Sequence, residues 1–163
     1  MSDLPLAQEV AALLLGRGLM LATAESCTGG LIAGACTDLA GSSLWFDRGF
    51  VTYSNAAKHD MLGVASELIE RHGAVSEPVA RAMASGALQR SAAQVSLAVT
   101  GVAGPGGGSA DKPVGTVWFA WATGDQLRSE RRQFEGGRAA VRAATVEHAL
   151  RGVLALVGPA SSH

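Results

Sequence analysis

Ala24-Glu25-Ser26-Cys27-Thr28-Gly29-Gly30 follows the apolar run Leu19-Met20-Leu21-Ala22 and precedes a helical pattern of apolar residues. A strand that stops at a hydroxyl, a thiol and two glycines, then turns into a helix, exposes a nucleophile beside the unpaired N–H groups of that helix's first turn. The stretch predicts a strand-turn-helix unit with a candidate oxyanion site around Cys27 to Gly30. A purely structural alternative stands beside it, in which Thr28 caps the helix while Ser26 and Cys27 fill a tight turn.

Upstream, Leu6, Val10, Leu13 and Leu14 recur at helical spacing after Asp3 and Pro5, so a first amphipathic helix is predicted to about Leu15, stopped by Gly16 and Gly18. Leu19 to Ala24 is the predicted strand that delivers Ser26. Downstream, Leu31, Ala35 and Leu39 line the predicted face of the second helix, which Gly41-Ser42-Ser43 breaks. Leu44 to Tyr53 then reads as a strand by its alternation. At its end, Ser54 or Asn55 is placed to cap a short helix carrying Lys58 in the first turn. A cation there opposes the helix dipole, which lowers a lysine's pKa and suits a base; a surface lysine kept for solubility is the plainer alternative.

Further on, Ser66 to His72 is a predicted short helix ended by Gly73, and Ser76-Glu77-Pro78 opens another with Val79, Ala82, Met83 and Ala87 inward. Val95 to Thr100 is a buried strand that runs into Gly101-Val102-Ala103-Gly104-Pro105-Gly106-Gly107-Gly108-Ser109. That segment reads as backbone approaching a ligand, with a spacer as the alternative. It is neither a phosphate-binding P-loop nor a dinucleotide fingerprint, because the flanking residues those need are absent. Val114 to Ala122 and Leu127 to Phe134 flank Gly124-Asp125 as a hairpin. In the last helix, from near Gly137, Val146, Ala149, Leu150, Val153, Leu154 and Val157 form the apolar stripe. Arg138 and Arg142 share another face one turn apart. Two readings are open for them: Arg138 pairs with Glu135, or both arginines and the helix end bind an anion such as a phosphate.

The bulk properties narrow the function class. With 163 residues and 48% apolar content the chain is expected to be one domain, 1–163, with a full core of its own. A net charge of −1 gives no electrostatic footprint for nucleic acid or an anionic membrane. No apolar run is long enough to span a bilayer and the N-terminus lacks the basic start of a signal peptide, so a cytoplasmic protein is expected. Cys27 and Cys36 have neither metal nor redox spacing, and a disulfide is not expected. No metal or cofactor is expected.

Glu25-Ser26-Cys27-Thr28-Gly29-Gly30, Gly41-Ser42-Ser43, Tyr53-Ser54-Asn55 with Lys58, Leu62-Gly63-Val64, Gly73-Ala74-Val75-Ser76, Thr100-Gly101-Val102-Ala103-Gly104-Pro105, Lys112-Pro113-Val114-Gly115-Thr116-Val117 and Arg138 with Arg142 stand in a recognisable order. In that order the chain resembles the CinA C-terminal domain family, whose stand-alone members are nicotinamide-nucleotide amidohydrolases. The likeness covers almost the whole chain; the additional domain of longer family members is missing, so its activity is not implied. Gly106-Gly107-Gly108 and Gly136-Gly137 look like local variants.

The resemblance implies deamidation of nicotinamide mononucleotide to nicotinic acid mononucleotide with release of ammonia. It implies Ser26 as nucleophile, Lys58 as general base and Tyr53 as an assistant that relays a proton or orients the lysine. For substrate binding it implies Cys27, Thr28, Gly29, Gly30, Asn55, Thr100, Gly101, Gly104, Arg138 and Arg142, with Arg138 or Arg142 on the 5′-phosphate. None of His59, His72, His148 and His163 stands in a relay with Ser26, which is compatible with a Ser-Lys pair. A lysine of ordinary pKa, about 10.4, is neutral in roughly 0.04% of molecules at pH 7, so Lys58 must be desolvated or set near positive charge to act as a base.

Three alternatives remain at this stage: Cys27 as the nucleophile, a different amide as substrate, or a nucleotide-sensing module without chemistry. The expected fold is a three-layer α/β/α sandwich with a mixed, mostly parallel sheet of about five strands. Expected partners are the small-molecule substrate and a second copy of the chain. Trp118, Phe119 and Trp121 are candidates for that contact, with core packing as the ordinary alternative.

Overall fold

The computed structural model describes residues 3–158, so His163 lies outside the described residues. The elements are α1 (Leu4–Arg17), β1 (Leu21–Glu25), α2 (Leu31–Thr37), β2 (Phe46–Val51), α3 (Asn55–Leu62), α4 (Ser66–His72), α5 (Glu77–Gln89), β3 (Val95–Gly101), β4 (Thr116–Ala122), β5 (Leu127–Gln133) and α6 (Arg138–Val157). The sheet order is β2-β1-β3-β4-β5. β1 pairs in parallel with β2 and β3, whereas β4 runs antiparallel to both β3 and β5, so β4 alone opposes the common direction. This is the expected α/β/α sandwich with a mixed, mostly parallel sheet.

Strand alternation divides the core into two unlike layers. Leu21, Leu97, Val99, Phe119 and Trp121 face α1, α2 and α6, where Leu14, Ile32, Leu150 and Val153 meet them. On the other face Ala22, Ala24, Ala98, Ala120 and Ala122 meet Ala80, Met83, Ala84 and Ala87 of α5. Small residues on both sides bring α5 close to the sheet, and Gly86 brings it to the backbone of α3, where a Cβ would stand 2.1 Å from the Leu62 carbonyl oxygen. That contact fixes α3, and with it Lys58, against the carboxyl end of β1.

Several boundaries and faces differ from expectation. α1 runs through Gly16 to Arg17 and stops at Gly18 in the left-handed conformation, which gives its N–H to the Leu14 and Leu15 carbonyls. The buried face of α2 is Ile32 and Cys36, with Ala35 and Leu39 at its margin, while Leu31 is exposed. β2 begins at Phe46 because Ser42–Leu44 forms a 3-10 turn that tucks Trp45 into the core. Phe119 and Trp121 are buried and stack at 5.7 Å between centroids, and Trp121 Nε1 donates to the Ala149 carbonyl at 2.9 Å. These two rings are core, held under α6.

Candidate active site

β1 ends at Glu25 in the middle of the parallel part of the sheet, between β2 and β3, and Ser26 follows it at the carboxyl end of those strands. Loops at that end of a parallel sheet converge, which makes it the usual location of an α/β binding site. Ser26 is held by its own N–H, which donates to the Val99 carbonyl at 3.1 Å. Gly29 and Gly30 then take positive φ values of 56° and 108°, a turn that side-chain-bearing residues rarely adopt, and the chain enters α2.

Lys58 reaches Ser26 from α3. Ser54 caps that helix as expected, its side chain accepting from the Ala57 N–H at 3.0 Å. Lys58 is 1% exposed, and its Nζ lies 3.0 Å from Ser26 Oγ, 2.9 Å from the Thr52 carbonyl oxygen and 3.4 Å from the Tyr53 carbonyl oxygen. Among the described residues no carboxylate forms an ion pair with it. Burial holds the amine below the ordinary lysine value, opposed only by the Cys27 thiol. The depression expected from the helix dipole is found with a different cause, removal from water.

Across the turn, Glu25 is buried and, among the described residues, forms no ion pair, yet both its carboxyl oxygens are hydrogen-bonded. Its Oε1 accepts from Ile32 N–H at 2.9 Å, from Gly30 N–H at 3.3 Å and from the Thr28 hydroxyl, and its Oε2 accepts from Ala33 N–H at 2.9 Å. The carboxylate therefore occupies the first turn of α2. Thr28 does not cap that helix, because its hydroxyl is a donor to Glu25 and the N-cap residue is Gly30. The Gly30, Ile32 and Ala33 amides are consequently closed to an external anion.

The cleft beside Ser26 has a volume of about 190 Å³. Of the expected site residues, Ser26, Cys27, Tyr53, Asn55, Lys58, Thr100, Gly101 and Arg138 line it, together with Ala74, Val75 and Ala103. Thr28, Gly29, Gly30, Gly104 and Arg142 do not line it. Thr100 Oγ1 donates to the Ala74 carbonyl at 2.9 Å, tying the wall formed by Ala74 and Val75 to the end of β3. Gly101 is required by its own chain: a Cβ there would lie 2.8 Å from the Thr116 carbonyl oxygen. Gly104 likewise packs on Val114, so the glycine-rich segment folds against β4 more than it opens toward a ligand.

Arg138 and Arg142 part company. Arg138 Nη1 donates to the Gly104 carbonyl at 2.7 Å and Nη2 to the Tyr53 hydroxyl at 3.1 Å, which sets the guanidinium at the cleft wall. Glu135 is not its partner. Arg142 turns to the far side of the loop after Ser26, Nε donating to the Cys27 carbonyl at 3.1 Å and Nη2 to the Thr28 carbonyl at 3.2 Å. Tyr53 offers its carbonyl to Lys58 and its phenol to Arg138, with no hydrogen bond from the phenol to Lys58 or Ser26.

Burial pushes the Cys27 thiol up to about 11, which leaves little thiolate at neutral pH and weakens it as a nucleophile. His59 bonds to the Val64 carbonyl and His148 to Glu130, both away from Ser26. Among the described residues no group of three or more His, Cys, Asp or Glu is arranged to hold a metal ion, and no helix is long and apolar enough to cross a membrane.

This geometry coincides with a known family. The family model described as the CinA C-terminal domain matches residues 3–157. The chain belongs to the CinA C-terminal domain family. A nicotinamide-nucleotide amidohydrolase PncC of Enterobacter agglomerans is 57% identical over 138 residues, covering 84% of each chain. One of the same name from Escherichia coli K12 is 53% identical over 147 residues, covering 90% of this chain and 89% of that protein. Among solved structures, the competence/damage inducible protein CihA from Agrobacterium tumefaciens superimposes with a TM-score of 0.93 at 52% identity, covering 96% of both chains.

Glu25 and the Ala74-Val75 wall, which the sequence showed only as motif residues without a role, and the Thr52 carbonyl are parts of this cleft that sequence reasoning did not assign. For Glu25 a signal existed: an acidic residue at a strand end, followed by a helix whose N-cap position is glycine. Backbone acceptors such as Thr52 leave no signal in residue type.

Proposed function

We propose that this chain hydrolyses the carboxamide of nicotinamide mononucleotide to nicotinic acid mononucleotide and ammonia through an acyl-enzyme on Ser26. The observation that carries the proposal is the hydrogen-bond inventory of Lys58 Nζ. A neutral amine has two N–H donors and one lone pair. In that form, which burial favours, the Thr52 and Tyr53 carbonyls, acceptors only, take the two donors and the lone pair faces the Ser26 hydroxyl; the protonated amine would instead donate to all three. Lys58 then accepts the proton as Ser26 Oγ attacks the carboxamide carbon.

The tetrahedral oxyanion is met by the Cys27 N–H at the cleft wall, and the Thr28 N–H of the next peptide, buried beside the cleft without lining it, is the second donor; neither has a hydrogen-bond acceptor in another residue among those described. Lys58 returns the proton to the departing nitrogen, ammonia leaves, and water repeats the attack with Lys58 again as base, releasing the carboxylate. Arg138, steadied by Gly104 and Tyr53, is the cation available in the cleft for the 5′-phosphate. Tyr53 serves as an orienter, its carbonyl fixing Lys58 and its phenol fixing Arg138. The choice of substrate is supported by the relatives being named nicotinamide-nucleotide amidohydrolases and by this cationic wall.

The test is incubation of purified protein with nicotinamide mononucleotide, following ammonia and the acid product, with acid-quenched intact mass to trap an adduct. Stoichiometric ammonia and an adduct on the Ser26 peptide are expected. Absence of ammonia, or wild-type turnover by Ser26→Ala, overturns the proposal.

A further inference from the structure

Cys27 and Thr28 carry the two amides of this turn that have no acceptor in another residue among those described, the Cys27 N–H meeting only its own thiol. Between Ser26 and Ala33 every other amide has an acceptor: Ser26 on Val99, Gly29 on Ser26, Leu31 on Thr28, and Gly30, Ile32 and Ala33 on Glu25. In a trans peptide the N–H points opposite to the carbonyl of the same plane, and the only cis bond among the described residues is Gly104-Pro105. The Cys27 N–H shares its peptide with the Ser26 carbonyl, which is pinned by the Gly29 N–H at 3.1 Å. The Thr28 N–H shares its peptide with the Cys27 carbonyl, which is pinned by Arg142 Nε at 3.1 Å.

We propose that Arg142 is a positioning residue of the acyl-transfer site, holding the Cys27-Thr28 peptide so that the Thr28 N–H is aimed at the developing oxyanion. It does so from outside the cleft, packed over Gly29, where a Cβ would stand 3.5 Å from its Nη2. The positive guanidinium on the carbonyl also polarises the peptide and makes its N–H a stronger donor. Glu25 supports the same arrangement from the helix side, absorbing the amides that would otherwise compete for the oxyanion. This assigns Arg142 to the reaction coordinate and leaves the phosphate to Arg138. The inference rests on Ser26 as the nucleophile but is independent of which amide is hydrolysed.

The test uses two readouts. A fluorophosphonate probe measures the intrinsic reactivity of Ser26: the oxygen bonds to phosphorus, fluoride leaves, the proton passes to Lys58, and the adduct is scored by intact mass. Steady-state kinetics on nicotinamide mononucleotide and on its phosphate-free riboside then separate kcat from KM. For Arg142→Met, phosphonylation and kcat are expected to fall by about 10- to 100-fold, with KM unchanged and the same factor for both substrates. Arg142→Lys, which keeps the charge but not the planar fork that spans the two carbonyls, is expected to recover part of both rates.

Unchanged phosphonylation, or a loss seen only as raised KM for the phosphate-bearing substrate, overturns the inference. Should Arg142→Met lose its fold, Arg142→Lys alone decides: full wild-type rates in it likewise overturn the inference. A wild-type protein that is phosphonylated on Ser26 yet releases no ammonia from the mononucleotide defeats the substrate assignment while leaving Arg142 testable by the probe. A wild-type protein inert to both defeats the two together.

Discussion

Ser26 sits between two buried ionisable side chains that the fold treats in opposite ways. On the α3 side, Lys58 meets only carbonyl oxygens and a hydroxyl, with burial lowering its pKa. On the α2 side, Glu25 meets three amides and a hydroxyl, every one a donor. Among the described residues neither forms an ion pair. For Lys58, removal from water outweighs what its three acceptors offer an ammonium and the pKa falls, whereas the Glu25 carboxyl is met on both oxygens by protein donors in place of water. One side of the turn therefore sets a buried amine of lowered pKa beside the Ser26 hydroxyl, and the other side anchors the loop that follows Ser26.

The largest effects should come from the Lys58 side and from Ser26 itself. Ser26→Ala and Lys58→Met are each expected to reduce ammonia release by about three orders of magnitude or more, with circular dichroism unchanged. Appreciable turnover by either variant would break the division between the two sides. Next in size is the response to pH. Because Lys58 must be neutral to work and its pKa is lowered, kcat/KM is expected to rise with pH along a limb whose midpoint lies below the ordinary 10.5. The stability counterpart has the same sign. The unfolded chain binds a proton at Lys58 that the folded chain gives up sooner, so wild type gains stability relative to Lys58→Met as pH rises through the lowered value toward 10.5. Parallel denaturation curves at several pH values would show a constant difference if Lys58 were instead charged in the fold.

A smaller effect is expected at the cleft wall. Arg138→Ala should raise KM for the mononucleotide about 10- to 100-fold while kcat stays within a few-fold, the loss of a charge-assisted contact to a phosphate. A loss in kcat alone would move Arg138 from binding to the reacting centre. Smallest is the behaviour of the neighbouring thiol. With its pKa pushed up to about 11, Cys27 is expected to stay unmodified by iodoacetamide at neutral pH while Ser26 takes up a fluorophosphonate.

The same contrast explains what the sequence disclosed. Ser54 was legible as a cap, and Lys58 one turn later as a cation in an unusual place, because both are local features of a helix start. The sandwich was legible from the apolar runs of β1 and β3, the alternation of β2, the hairpin of β4 and β5, and helical spacing in α1, α5 and α6. The face of α2 was not, because Glu25 anchors its first amides and turns Ile32 and Cys36 inward where spacing suggested Leu31. Arg138 and Arg142 share a helix face and residue type, so nothing local separates them. Their partners, Gly104 with Tyr53 and Cys27 with Thr28, come from segments far apart in the chain. What stayed hidden is what depends on such pairings and on backbone carbonyls, which residue type does not encode.

The protonation state of Lys58 tests the central claim most directly, through ¹⁵N NMR of lysine-labelled protein titrated with pH and assigned by Lys58→Met. The account predicts an amine signal that becomes neutral well below the ordinary 10.5 and shifts on Ser26→Ala. An ammonium signal at Lys58 that persists to 10.5 or above, indifferent to Ser26, would contradict it.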